Sequence, residues 1–236
     1  MKNLITRTTI MILFLWSCGG KEKVKSTEVE SLNEELKQPE EILLENEYIK
    51  AIEVELKAGE ALPWHEGNER LIYPLDDFQV KFKSFGDDEG TEKLFQKDVP
   101  NWFQEKIHSV INTGEVTAHY LILMRKDKSF PEGEMYDVSE LKEAEGLSQV
   151  VLFENPSIRV SRAKLEAGVE TSVHKGIYRL VYPLTDYSVI YDKENQEEGI
   201  RNIYKGVAHW HLPSNHSIKN VSNQGVADFL VFEFRI

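Results

Sequence analysis

Cysteine occurs once in the 236 residues, at Cys18, so the chain has no disulfide framework and no CxxC pair for redox or metal chemistry. Positive charge is scarce: 28 Lys and Arg stand against 40 Asp and Glu, a formal net charge of -12. Such a balance disfavours nucleic acid as a partner and equally disfavours a polybasic membrane contact. No Ser-His-Asp ordering and no glycine-rich phosphate loop is present to support another enzyme class. Long stretches of 3.6-residue apolar periodicity are also missing, which argues against a helical core.

What the sequence does contain begins with a short leader. Lys2 and Arg7 flank its start, and the apolar run from Ile10 to Trp16 is far too short to span a bilayer as a mature helix. Leu15-Trp16-Ser17-Cys18-Gly19-Gly20 follows, and its small residues around a lone cysteine resemble the lipobox of bacterial lipoproteins. That resemblance implies a signal peptide over 1–17, acylation of Cys18, and a protein held at the cell envelope, on the periplasmic or outer-membrane face, by its lipid anchor alone. Cleavage would remove Lys2 and Arg7 and no acid, taking the net charge from -12 to -14. Residues 18–41, rich in Lys, Glu and Ser, lack the apolar area that offsets ordering and read as a flexible tether.

The rest of the chain says nearly the same thing twice. Glu45 to Phe82 and Glu154 to Tyr191 match at a constant offset of 109 residues, with 15 identities in 38 pairs. The identities include Gly59/Gly168, His65/His174, Gly67/Gly176, Arg70/Arg179 and a shared Tyr-Pro-Leu triplet. An internal duplication follows, and it fixes the fold and the candidate sites together.

Each copy is built from runs of four to eight residues rich in Val, Ile, Leu, Tyr and Phe, separated by Gly, Asn and Asp turns, as β-strands are. Ile49 to Leu56 alternates apolar and polar before the Lys57-Ala58-Gly59 turn. Later in each copy come Asn101-Trp102-Phe103 and His209-Trp210-His211, then His108 to Asn112 and His216 to Asn220, then a closing apolar strand. The fold class is therefore all-β, with copies over 42–126 and 150–236 joined by a charged linker over 127–149 that has room for one helical turn near 139–144. Copies of this size suit two small antiparallel barrels, with a single larger sandwich as the alternative. Trp102/Trp210, Tyr73/Tyr182 and Phe78/Tyr187 read as core or inter-barrel packing rather than a stacking platform for sugars.

The order of these elements resembles the cupin superfamily, and the duplication resembles a bicupin: two cupin-like jelly-roll barrels. Gly59-x5-His65 and Gly168-x5-His174 match the opening of the family's first motif, but Gly67 and Gly176 stand where its second histidine belongs, and Arg70 and Arg179 stand near its glutamate. The second motif appears as Gly206 with Pro213-Ser-Asn-His216-Ser-Ile-Lys-Asn220, and the earlier copy keeps only His108-Ser-Val-Ile-Asn112.

Metal-binding cupins hold a divalent cation with three imidazoles and a carboxylate, so the resemblance supplies two ligands per copy, His65 with His108 and His174 with His216, facing each other across their barrels. A guanidinium beside a cation raises the cost of binding it, and no cofactor is expected in the first copy. In the second, His209 and His211 at i, i+2 share one strand face and are candidates to rebuild a metal site with His174 and His216. The preferred reading is a binding module without a complete catalytic set, in which His65, Arg70, His108, His174, Arg179 and His216 hold a small anionic molecule. Two alternatives stand beside it: a metal-dependent oxidation or isomerisation in the second barrel, and a structural or interaction lipoprotein. An Arg-Asp staple, Arg70 to Asp76 or Asp77 and Arg179 to Asp186, is the competing account of the arginines. A homodimer is a candidate assembly.

Overall fold

The computed structural model describes residues 39–87, 89–131, 144–193, 199–223 and 225–235, so the leader, Cys18, the tether up to residue 38 and the expected turn over 139–143 lie outside the described residues. Every regular element among the described residues is a strand. In the first copy, β1 (Glu40–Glu45), β2 (Ile49–Leu56), β3 (Ala61–Gly67), β4 (Arg70–Pro74), β5 (Phe78–Ser84), β6 (Thr91–Phe95), β7 (Asn101–Phe103), β8 (Lys106–Asn112) and β9 (Ala118–Arg125) form two antiparallel sheets, β1-β2-β9-β4-β7 and β3-β8-β5-β6. The second copy repeats the plan. β10 (Leu147–Glu154), β11 (Ile158–Leu165), β12 (His174–Gly176), β13 (Arg179–Pro183), β14 (Tyr187–Lys193), β15 (Ile200–Ile203), β16 (His209–His211), β17 (Ser214–Asn220) and β18 (Ala227–Phe234) form sheets β10-β11-β18-β13-β16 and β12-β17-β14-β15.

β1 takes up Glu40 and Glu41 from the end of the expected tether, and β10 takes up Leu147 to Gln149 from the expected linker. Both are edge strands, where backbone pairing rather than an apolar side-chain run sets the boundary, which is why composition reads them short.

Period-two alternation decides which side chains go where. In β2, β4 and β9, Ile49, Ala51, Leu71, Tyr73, Leu121 and Leu123 point out of their own barrel, and their counterparts Ile158, Val160, Leu180, Tyr182, Leu230 and Phe232 do the same in the second copy. These two outward faces pack on each other and form one core with Phe130, Tyr178 and Phe234. The intervening residues point inward. Ile52, Val54, Ile72, Phe78, Val80, Phe95, Tyr120 and Ile122 fill the first barrel, whereas the second holds a smaller inward cluster of Ala163, Leu165, Tyr187, Val189, Ala227 and Phe229. Each copy is thus a barrel of its own, and the larger five-stranded sheets join the two face to face.

The second-motif asparagines are clamps. Asn112 Nδ2 donates to the carbonyls of Leu56 and Val116, and Asn220 Nδ2 donates to those of Leu165 and Gly225. Gly59 and Gly168 sit at φ +78° and +84°, the left-handed region glycine favours, and donate their N–H to the carbonyls of Asn112 and Asn220.

Candidate functional site in the second barrel

The candidate histidines are neighbours within a sheet, not partners across a barrel. His65 and His108 are register partners on β3 and β8, with ring centroids 4.3 Å apart, and His174 and His216 repeat this on β12 and β17 at 4.2 Å. The expectation that they face each other from opposite walls is corrected by this register.

An arginine completes each pair. Arg70 Nη2 lies 2.9 Å from His108 Nε2, and Arg179 Nη2 lies 2.9 Å from His216 Nε2. A guanidinium only donates, so each Nε2 accepts and the ring proton sits on Nδ1. There it donates to a carbonyl two residues back: His108 to Lys106 and His216 to Ser214. Burial, reinforced by the neighbouring guanidinium, lowers the pKa to about 4 for His108 and about 3 for His216, so both imidazoles are neutral at physiological pH. The Arg-Asp staple is not what forms. Asp76 pairs with Lys97 and His119, Asp77 accepts from the Lys97 backbone N–H, and Asp186 accepts from that of Lys205.

Gly67 and Gly176 explain how the guanidinium gets in. A Cβ on Gly176 would stand 2.2 Å from Arg179 Nη1 and 2.8 Å from His216 Cε1, and one on Gly67 would stand 2.4 Å from both Arg70 Nη1 and His108 Cε1. Where the family motif places a second histidine, glycine leaves a hole, and an arginine from the next strand fills it with its own fixed positive charge.

The barrels part company in what surrounds this triad. In the first, Phe82 lies against His108 at a tilt, Phe95 and Phe103 pack on Phe82 and on each other, and a pocket of about 310 Å³ remains near Arg70. In the second, equivalent registers carry Tyr191, Ile203 and His211, while Ala163 replaces Val54, Val181 replaces Ile72 and Glu233 replaces Met124. These exchanges remove volume, and a cavity of about 510 Å³ opens with apolar walls such as Val189, Ile218 and Phe229. A cavity of this size suits a small organic ligand.

All four second-copy histidines line that cavity, so His209 and His211 do share the inward face of β16. Burial lowers the pKa of each, to about 3 for His211. Tyr191 stacks on His216 at 5.0 Å and accepts a 3.2 Å hydrogen bond from Arg179 Nη2, and Arg201 lies over its ring at 5.1 Å. Tyr191, Arg201 and Glu233 are lining residues that sequence reasoning missed. Tyr191 was visible only as the last position of the duplicated stretch, and the other two fall outside it.

As arranged, these residues do not fit a divalent cation. The His216 nitrogen that a metal would need accepts from Arg179, and no three His, Cys, Asp or Glu side chains converge to hold an ion among the described residues. His174, His209, His211 and His216 line one cavity, and among the described residues no three of them converge on a point. Arg179 itself is 5% exposed, and among the described residues no carboxylate reaches it within salt-bridge distance; its guanidinium donates to the Ile177 carbonyl, Tyr191 and His216. A buried cation with no carboxylate in salt-bridge reach, its charge only partly offset by Glu233 across the sheet, stands at the edge of an open cavity as a site for an anion.

No family model matches the sequence, and no curated protein matches it. Solved structures do match by fold. A tryptophan-to-phenylalanine variant of Bacillus subtilis oxalate decarboxylase superposes with a TM-score of 0.60 at 14% identity, over 83% of this chain and 72% of that one. A structure of the same enzyme, studied for its Mn(II) centres, gives 0.58 at 13% identity over 80% and 70%. At this identity the likeness is one of fold: the chain is a pair of cupin-like jelly-roll barrels.

Proposed function

We propose that the protein is a binding module whose second barrel takes a small organic anion, with the first barrel as a more tightly packed, structural copy. The observation that carries this is Arg179, a buried guanidinium at the cavity with no carboxylate in salt-bridge reach. The apolar walls favour a ligand with a hydrocarbon body, and the neutral imidazoles of His174, His209 and His211 supply hydrogen bonds that orient it. His65, Arg70 and His108 repeat the triad, but the phenylalanines around them leave less room, so their role is to tie β4 of one sheet to β8 of the other.

Location belongs to the same proposal. Acylation at Cys18 would anchor the barrels to the envelope, and Cys18→Ser would release the protein from the membrane fraction and abolish fatty-acid labelling.

Calorimetric titration of metal-free protein with small carboxylates tests the binding reading. One site per chain is expected, with affinity reduced at least about tenfold in Arg179→Met, the loss typical of a charge-assisted hydrogen bond. Absence of carboxylate binding, or binding indifferent to Arg179→Met, would overturn it. The Mn(II) centres of the structural neighbour make a divalent metal the alternative to exclude. Stoichiometric metal in protein purified without chelator, lost in His216→Ala, would favour that reading instead.

A further inference from the structure

Glu233 is the buried carboxylate in the row that crosses the second barrel's five-stranded sheet at the level of the triad; Glu154, on the edge strand β10, is exposed and pairs with Arg235. Arg159, Glu233, Arg179 and His211 are register partners on β11, β18, β13 and β16, where the first barrel has Lys50, Met124, Arg70 and Phe103. Glu233 is 6% exposed, and it lines the cavity. Its Oε2 has no hydrogen-bond partner, and Arg159 Nε stands at 3.9 Å, beyond hydrogen-bond reach. Glu233 thus keeps a long buried ion pair with Arg159, and its Oε2 retains an unused acceptor position toward the cavity that a ligand can fill. Methionine at the corresponding place in the first barrel means that the fold itself does not require an acid there.

We infer that Glu233 determines ligand specificity: the second barrel recognises a small hydroxycarboxylate, its carboxylate on Arg179 and its hydroxyl on Glu233. The inference rests on the anion-binding reading above. A hydroxyl suits Glu233 better than an ammonium group for two reasons. Arg159 and Arg179 flank Glu233 across the sheet, and Lys175 and Arg201 also line the cavity, so cationic side chains predominate there and oppose a further cation. A hydroxyl also both donates and accepts, so it satisfies the carboxyl in either protonation state, which an ammonium does not. Arg179 and Glu233 are directly opposite across adjacent strands, where Cβ atoms are about 5 Å apart, so the two recognised groups are close together on the ligand, as in a 2- or 3-hydroxy acid.

Titration of the full chain with 2-hydroxyisovalerate, isovalerate and valine tests this. The hydroxy acid is expected to bind at least about tenfold tighter than isovalerate, because a site built to pair a hydroxyl rejects the analogue lacking it. Valine is expected to bind no better than isovalerate. Glu233→Met, which installs the first barrel's residue, should bring the ratio of hydroxy-acid to isovalerate affinity to about one, and Glu233→Gln, which keeps an acceptor, should retain the preference. Equal affinity for the two acids in the wild type, a preference that survives Glu233→Met, or tightest binding of valine would each overturn the inference while leaving the anion site standing. Failure of all three to bind would overturn both. Should Glu233→Met not fold, the wild-type ratio and Glu233→Gln decide the matter by themselves.

Discussion

Gly176 has no room for a methyl group, because the Arg179 guanidinium occupies the space a Cβ would take. Gly176→Ala is therefore expected to displace the guanidinium from His216 and to cost about 1–3 kcal/mol, the usual penalty of overpacking. Chemical denaturation checks this against Gly199→Ala, where a Cβ meets nothing within 4 Å; equal stability of the two variants would contradict it. The imidazoles in turn make stability depend on pH. His108, His211 and His216 have folded-state values of about 4, 3 and 3 against 6.5 for a free imidazole, chiefly through burial. Between those limits the unfolded chain binds protons that the folded chain does not, so their contribution is complete above about pH 6.5 and is lost as pH falls toward 3–4. His119 works the other way: its hydrogen bond to Glu53 raises its pKa, stabilising at low pH and fading as pH rises through the folded value. With five lowered imidazoles, His108, His174, His209, His211 and His216, against one raised, the melting temperature should fall between about pH 7.5 and about pH 5. A flat or rising profile over that interval would be inconsistent with neutral, guanidinium-paired histidines.

At the scale of the strand, β16 and β7 carry the functional difference between otherwise matching sheets. His209-Trp210-His211 and Asn101-Trp102-Phe103 pair with β13 and β4 in the same register, and their tryptophans both pack toward the core between the barrels. Only the inward residues differ, phenylalanine closing one barrel and histidine opening the other. Much of this was legible in the sequence. The alternation of β2 and β11 and the duplicated Gly, His and Arg positions follow from side-chain periodicity and from identity at constant offset, which survive without any knowledge of packing. The pairing of arginine with histidine was not legible, because a motif read for metal ligands makes the arginine an intruder, whereas its partner is fixed by cross-strand register. Glu233 was illegible for a related reason. It lies beyond the ungapped match, and its counterpart Met124 reads as ordinary core until the strands are aligned across the sheet.

Across the whole molecule, the two barrels are held by a shared apolar core and by polar groups whose signs exchange between copies. Glu53 accepts from His119 and from Tyr182 of the second copy, while at the matching place Arg162 donates to Asp228 and to Asp98 of the first. The paired halves are thus complementary at these contacts rather than merely repeated, although Glu53 also has Glu41 as its register partner on β1. Joined this way, one barrel holds a narrower cavity than the other on the same scaffold. The account therefore turns on the asymmetry of the barrels. Its most direct test is calorimetric titration of the wild type and of an Ala163→Val/His211→Phe variant, which copies Val54 and Phe103 of the first barrel, with 2-hydroxyisovalerate. The wild type is expected to bind one ligand per chain and the variant none, with the variant's melting temperature equal or higher. Two ligands per chain, or unchanged binding by a folded variant, would contradict the account.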